Sequence, residues 1–341
     1  MAFIGRPEEC LAERNPVSSF SPWPPPTFDT WAEDAKSSDR GTWILEKLLP
    51  ADGITLVSGP PKTSKKTLAV FEMIRHIVSA RSMGQFGYVP SEEFKTLFLE
   101  YEGPALPFAQ TIDWMDKGSG WEFSRNNVFF AHRYSHVLLT DPDWAGKIQA
   151  LIQKEGLKGL VVDTFTRAAM AHENDAIALS EAFRVLDQCR TATDGGFVIY
   201  IHHLRKNSDP WEEDIDVAVR GNTAFSGAYD HHLAFRPGYR SGSVHLYTRS
   251  KVDEDRFFRW QWRIDDKHGE IAFEVVEFEL ANPPSAGLVQ ECTEAIEDTT
   301  VHTLRQLGEL WDVPRAVAAW LAGHMTAAGI LEKTARGFRR V

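Results

Sequence analysis

Cysteine is nearly missing from this chain. The three present, Cys10, Cys189 and Cys292, are odd in number, far apart and outside any Cys-x-x-Cys pair. That excludes a disulfide framework and a zinc knuckle, and it fits a reducing, cytosolic setting. Long apolar runs are missing too: nothing approaches the ~20 residues needed to cross a bilayer. The N-terminal MAFIGRPEECLAERNP lacks the charged-then-apolar order of a signal peptide. A cytoplasmic protein without a membrane partner is expected. Positive charge is in deficit, with 37 Lys and Arg against 48 Asp and Glu and a net charge of −11. A surface coated for nucleic acid is thereby excluded, while a local basic module remains open. No internal repeat is visible.

What is present is 341 residues, 43% of them hydrophobic, enough for one large domain or two ordinary ones. Residues 1–40 read as a Pro-rich arm, because SPWPPPTF (21–28) cannot be helical. Trp23 and Phe28 would dock either on a neighbouring subunit or on the arm's own domain. From 41 to 281 strands and helices alternate. ILEKLLP (44–50) reads as a short helix, and GITLVSG (53–59) as a buried strand. Residues 67–82 have helical spacing, TLFLEYEG (96–103) is strand, and 143–156 is helix closed by glycine. LKGLVVDTF (157–165) is strand, 176–193 helix, and GGFVIYIHHL (195–204) a strand ending in two histidines. Residues 231–237, 244–251, 258–265 and 271–280 read as later strands, the last two as a hairpin. This order predicts an α/β fold with a mostly parallel central sheet and an antiparallel edge. ANPPSAG begins a linker, taken as 282–298. Residues 299–341 read helix, turn, helix, hairpin, the shape of a winged helix-turn-helix.

The stretch SGPPKTSKKT (58–67) stands between a strand and a helix, where a phosphate loop would be. Gly59 precedes Lys65 by six residues, the spacing from first glycine to lysine in G-x-x-x-x-G-K-[ST]. Ser64 replaces the second glycine, and Lys66 replaces the Ser or Thr that would hold Mg²⁺. Thr67 comes one place late, about 100° round the helix. A lysine-rich turn before an ordinary helix gives the same letters. Four further residues stand at strand ends: Glu100 and Glu102 after the second strand, Asp163 after the third, His203 after the fourth. Each alone is commonplace. Together they fall on one sheet edge, where open α/β sheets bind ligands.

The ensemble LLPADGITLVSGPPKTSKKTLA (48–69), TLFLEYEGP (96–104), LVVDTFTRA (160–168), IHHLRK (201–206), RGNTAFSGAYDHHLAF (220–235) and TRSK (248–251) resembles the RecA-like ATPases of the RepA plasmid-helicase type, the AAA_25 group, cousins of the hexameric DnaB helicases. The resemblance covers about 44–280. It implies a RecA-like core that binds ATP with Mg²⁺ and assembles as a homo-oligomeric ring, most simply a hexamer. By it, Gly59, Pro60, Pro61, Lys62, Thr63, Ser64, Lys65, Lys66 and Thr67 are the nucleotide-binding loop, with Lys65 the phosphate lysine. Glu102 matches the water-activating glutamate, Asp163 the metal-linked aspartate and His203 the γ-phosphate sensor. Arg249 or Lys251 matches the basic residue offered to a neighbour's nucleotide. The departures at Ser64 and Lys66 point to binding with slow or lost hydrolysis, since the metal orients the transferred group.

In rings of this kind the loop after the fourth strand lines the channel. Here 207–219 carries Asp209, Glu212, Glu213, Asp214 and Asp216, which repel a phosphate backbone. The C-terminal module is more hospitable: Arg315, Lys333, Arg336, Arg339 and Arg340 are its candidate DNA contacts. Its second helix offers few groups that read bases, so DNA contact without sequence reading is expected, with a protein partner as the alternative. Trp260 and Trp262 interleave with Arg259 and Arg263, either a base-stacking strand or a half-buried one. Two functions follow: an ATP-binding RecA/RepA-like protein in DNA replication, recombination or mobility of a plasmid, phage or other mobile element, or a catalytically degenerate adaptor recruiting DNA or a partner through its arm and winged helix.

Overall fold

The computed structural model describes residues 43–60, 66–132, 135–170, 175–205, 219, 224–251, 253, 255–277, 284, 286–296 and 300–341. All of them lie in the unit Gly41–Val341, which is distinct from Met1–Arg40. The expectations for the arm, Trp23 and Phe28, fall outside the described residues.

In chain order the strands are β1 (Trp43–Leu45), β2 (Leu49–Pro50), β3 (Gly53–Gly59), β4 (Lys95–Glu100), β5 (Val128–His132), β6 (Leu157–Asp163), β7 (Phe197–His203), β8 (His231–Pro237), β9 (Ser243–Ser250), β10 (Arg256–Asp265) and β11 (Glu270–Glu277). Nine of these form one sheet in the order β11-β10-β9-β8-β3-β7-β6-β4-β5. Pairing is parallel from β8 through β3, β7, β6 and β4 to β5. It is antiparallel among β8, β9, β10 and β11. The expected parallel sheet with an antiparallel edge is what the chain forms.

Helices cover both faces of the parallel part, which is why its strands read as unbroken apolar runs. Successive residues point to opposite faces. Val57 and Ile199 pack with Val70, Phe71 and Ile74 of helix α1 (Lys66–Ile77). Leu56, Val162 and Tyr200 pack on the other side with Ile148 of α3 (Pro142–Glu155) and Leu179 and Leu186 of α5 (Ala176–Ala192). Asp141 and Asp175 cap α3 and α5 by accepting first-turn amide hydrogens.

Residues 44–50 are not the helix their apolar content predicts. Lys47 has φ 63°, and β1 and β2 fold back on each other as an antiparallel pair. Leu45, Leu48 and Leu49 are all fully buried, a demand that seven residues ending in proline meet better as a turn than as one marginal helical turn. The longer elements that escape the sequence reading are α2 (Ala105–Ser119), β5 and α7 (Ala286–Glu294). Pro107 in the first turn and Gly118 near the end obscure α2, although proline is tolerated at a helix start. The short helix α4 (Phe165–Ala169) follows β6, and α6 (Ala224–Gly227) precedes β8.

Within the segment expected as a linker, α7 buries Cys292 against Trp311 and Leu307. Then come α8 (Leu304–Trp311), α9 (Arg315–Ala327) and the hairpin β12 (Leu331–Thr334) and β13 (Gly337–Arg340). A capping box between Thr303 and Gln306 starts α8. The terminal helices are fastened to the sheet. Asp312 is fully buried and accepts from Tyr239 N, His245 Nε2 and the Ser243 hydroxyl. Arg259 donates to the Trp311 carbonyl at 3.0 Å and reaches Glu291 at 3.2 Å. Trp260 and Trp262 are 0% and 2% exposed and pack on Phe273, so the stacking reading of that strand fails and the core reading holds. Among the described residues no helix is long and apolar enough to cross a membrane.

Candidate functional site

Parallel strands end together, and here that places chemistry at one edge. Gly59 pairs with His203, Asp163 with Ile201 and Glu100, and Glu100 with His132. The first turn of α1 lies over the same edge. Thr67 Oγ1 donates to Asp163 Oδ2 at 2.6 Å. Lys66 Nζ is 3.2 Å from His203 Nδ1, and His203 Nε2 is 3.1 Å from Glu102 Oε1. Glu102, Asp163 and His203, grouped by the sequence reading, therefore converge with Lys66 and Thr67. Lys65, together with Pro61, Lys62, Thr63 and Ser64, lies outside the described residues, while Gly59 and Pro60 fall within them.

Thr67, one place late in the loop pattern and included in the expected nucleotide loop, is the hydroxyl that meets the strand-end aspartate. Among the described residues, Lys66 and Thr67 in the first turn of α1 are the lysine and hydroxyl that face the acids.

The electrostatics follow from burial. Asp163 is fully buried, and desolvation pushes it up to about 7, with the Thr67 hydrogen bond opposing and the Glu102 charge adding. Among the described residues its Oδ1 has no hydrogen-bond partner. Burial draws the Lys66 ammonium down, against the pull of Asp163 and Glu102. The hydrogen bond from His203 holds Glu102 low, with burial acting the other way.

Glu100 supports the site from beneath. Its Oε1 accepts from the amides of Glu102 and Gly103 at 2.8 and 2.6 Å, which fixes the turn that presents Glu102. His132 at the end of β5 lies 3.4 Å from Glu100 Oε2 and 2.8 Å from the Gly103 carbonyl. Arg167 donates to the Tyr101 carbonyl at 3.1 Å and adds positive charge near Glu102. His132 and Arg167 were missed. His132 was hidden with its strand, whereas TFTRA after Asp163 was a signal within reach.

A divalent metal fits the chemistry of this edge. The orphaned Asp163 Oδ1 and the Thr67 hydroxyl on the same carboxylate are one acid and one hydroxyl of the kind Mg²⁺ takes alongside phosphates and waters. Thr67 and Asp163 would hold it, and when bound it would neutralise and orient phosphate oxygens. Among the described residues no three His, Cys, Asp or Glu side chains converge as a protein-only metal cage.

Arg249 and Lys251 stand elsewhere. Lys251 Nζ is 3.3 Å from Asp230, whose other carboxylate oxygen accepts from Ile54 N at 3.1 Å. That is the start of β3, roughly 20 Å of strand from Gly59. Arg249 lies 3.7 Å from Asp255. Neither joins the site of its own chain. The acidic run Asp209 to Asp216 is outside the described residues. On the terminal hairpin, Lys333 and Arg336 are exposed, as is Arg315 at the start of α9. Arg339 is paired with Glu332 at 2.6 Å, and Arg340 turns to the Thr293 carbonyl at 3.4 Å.

Residues 22–209 match the AAA_25 family, described as an AAA domain. Among solved structures, a KaiC-like protein from the hyperthermophilic archaeon Pyrococcus horikoshii aligns over 69% of this chain and 98% of its own, at 12% identity and a TM-score of 0.43. Curated proteins give no match.

Proposed function

The chain belongs to the AAA_25 family of AAA domains, and from that premise we propose that it is a cytoplasmic ATP-binding protein of the RecA/RepA-like kind. Copies assemble into a ring, most simply a hexamer, that serves DNA replication, recombination or mobility of a plasmid, phage or other mobile element. Hydrolysis is slow. The observation that carries the nucleotide reading is the Thr67–Asp163 contact beside Lys66: a lysine and a hydroxyl at a helix start, facing a buried acid at a parallel strand end, suit a polyphosphate with its metal. Lys251, on the far edge of the sheet, suits a role toward a neighbour's nucleotide. DNA contact falls to the winged-helix shape of residues 299–341, through Arg315, Lys333 and Arg336.

A second reading is a catalytically degenerate adaptor, nucleotide-gated or nucleotide-free, that recruits DNA or a partner through its terminal modules. It is favoured by helix α9, whose exposed positions after Arg315 are Ala319, Gly323 and Ala327, which have nothing to read a base edge with. Nucleotide binding and steady-state hydrolysis of wild type, Lys65→Ala, Lys66→Ala and Lys66→Thr separate the two. Turnover that Lys66→Ala abolishes supports an ATPase. Binding without turnover supports the adaptor. A wild type that binds no nucleotide ends the ATPase reading and leaves only a nucleotide-free scaffold. Solution mass with and without ATP tests the ring.

A further inference from the structure

We propose that His203 is a latch: in the free protein it ties Lys66 to Glu102, and a polyphosphate must pull Lys66 from it to bind. The inference rests on the reading of this edge as a nucleotide site.

The hydrogen-bond directions are forced. An ammonium only donates and a carboxylate only accepts. With Lys66 Nζ 3.2 Å from Nδ1 and Glu102 Oε1 3.1 Å from Nε2, the ring must accept at Nδ1 and donate at Nε2. One neutral tautomer satisfies both ends. The chain Lys66–His203–Glu102 is then a closed set in which cation and acid are each spoken for by the same ring.

The parts around the ring hold it in place. His203 ends β7 in register with Gly59, and the next residue, Leu204, donates its amide to the Gly59 carbonyl at 3.2 Å. His202, pointing to the other face, stacks on Phe225 with ring centres 4.2 Å apart. The strand end is thus fixed, and the imidazole is free to change only by turning about its own side-chain bonds. Lys66 is 4% exposed, and among the described residues His203 is its hydrogen-bond partner.

Two consequences distinguish a latch from a side chain that merely touches a terminal phosphate. Binding any polyphosphate, ADP included, must first break the Lys66–Nδ1 bond, so the bond subtracts from affinity even where no third phosphate is present. Glu102 keeps its Oε1 engaged by Nε2–H until the ring is released, so that oxygen is already taken in the free protein. Freeing Nδ1 from Lys66 also removes the constraint on the tautomer, which gives the ring a spectroscopic signature.

The test uses the full chain with Mg²⁺ and ADP as probe, by calorimetry, on wild type, His203→Ala and His203→Gln. A latch predicts that His203→Ala binds ADP about tenfold tighter, the worth of one charge-assisted hydrogen bond no longer to be broken. His203→Gln returns toward wild type, because its amide oxygen accepts from the ammonium and its NH₂ donates to the carboxylate. In ¹⁵N-histidine spectra, assigned by the Gln variant, the free protein shows His203 protonated at Nε2 with Nδ1 as acceptor, and ADP shifts Nδ1. Equal or weaker ADP binding by His203→Ala overturns the latch while leaving the nucleotide site standing. An unchanged Nδ1 signal on ADP binding overturns it as well. No ADP binding by wild type fells the latch and the nucleotide reading together.

Discussion

Thr67 and Asp163 are 96 residues apart in sequence and 2.6 Å apart in space, hydroxyl to carboxylate. The bond joins the first turn of α1 to the tip of β6, and it is the hydrogen bond that Asp163, fully buried, has from a side chain among the described residues. Thr67→Val keeps the shape and deletes the donor, leaving a buried acid unsatisfied. The expected cost is about 1–3 kcal/mol of stability, read as a lowered urea midpoint. If the pair also holds Mg²⁺, the variant loses most of the difference between ATP affinity with Mg²⁺ and with EDTA, while Thr67→Ser keeps it. Equal Mg²⁺ dependence in Thr67→Val and wild type would remove Thr67 from the metal.

Arg75 ties α1 to α2 from a site that is 1% exposed. It meets Glu72 at 2.6 Å and Asp116 at 2.8 Å, donates to Ser119 at 2.9 Å, and lies 4.5 Å over the ring of Trp121. Arg75→Met leaves Glu72 with His76 and Asp116 with Arg125 as their remaining partners, and the expected destabilisation is about 1–3 kcal/mol. Arg75→Lys recovers little, because one ammonium cannot span this fork and stack on the ring. Denaturant melts of the two variants check this, and a cost below about 1 kcal/mol for Arg75→Met would show the network to be slack.

Much of the site was legible because parallel strands declare their ends. Runs such as GITLVSG and LKGLVVD are apolar on both faces, so the residue that breaks each run, Gly59 or Asp163, marks the edge. Register then did the rest. What stayed hidden depends on three-dimensional demands that no period records. ILEKLLP is helical by propensity, but total burial of three leucines folds it into β1 and β2. The turn that lets Thr67 reach Asp163 depends on where α1 begins, and a motif template counts letters from Gly59 instead. Asp312 gave no signal at all, since an acid after a helix reads as a solvated turn.

The exposed cations of the terminal hairpin carry a separable prediction. Lys333 and Arg336 are free of the Glu332 pairing that occupies Arg339. If the module contacts duplex DNA, replacing both with Ala should weaken binding evenly across sequences. The slope of log affinity against log salt should fall by about 2, one for each phosphate no longer neutralised. Arg339→Ala should change that slope little. Fluorescence anisotropy over a salt series measures it, and an unchanged slope in the double variant would place DNA elsewhere or nowhere.

Asp312 gives a prediction in pH. It sits at φ 53°, fully buried, and accepts from Tyr239 N at 2.7 Å, His245 Nε2 at 3.2 Å and the Ser243 hydroxyl. Burial works to raise its pKa, but the hydrogen bonds from His245 and Ser243 outweigh it and hold the carboxyl well below the usual range. A depressed acid stabilises the fold fully above its unfolded value, about 3.9, and that stabilisation drains as pH falls toward the folded value. The attachment of the terminal helices should therefore weaken below about pH 4. Asp312→Asn tolerates the left-handed backbone and lacks the charge, so its unfolding midpoint should be lower at pH 6 and should fall less steeply than wild type between pH 5 and 3. Urea melts at those pH values decide it: parallel pH profiles for the two proteins would mean that the carboxylate's charge does not hold the module to the sheet.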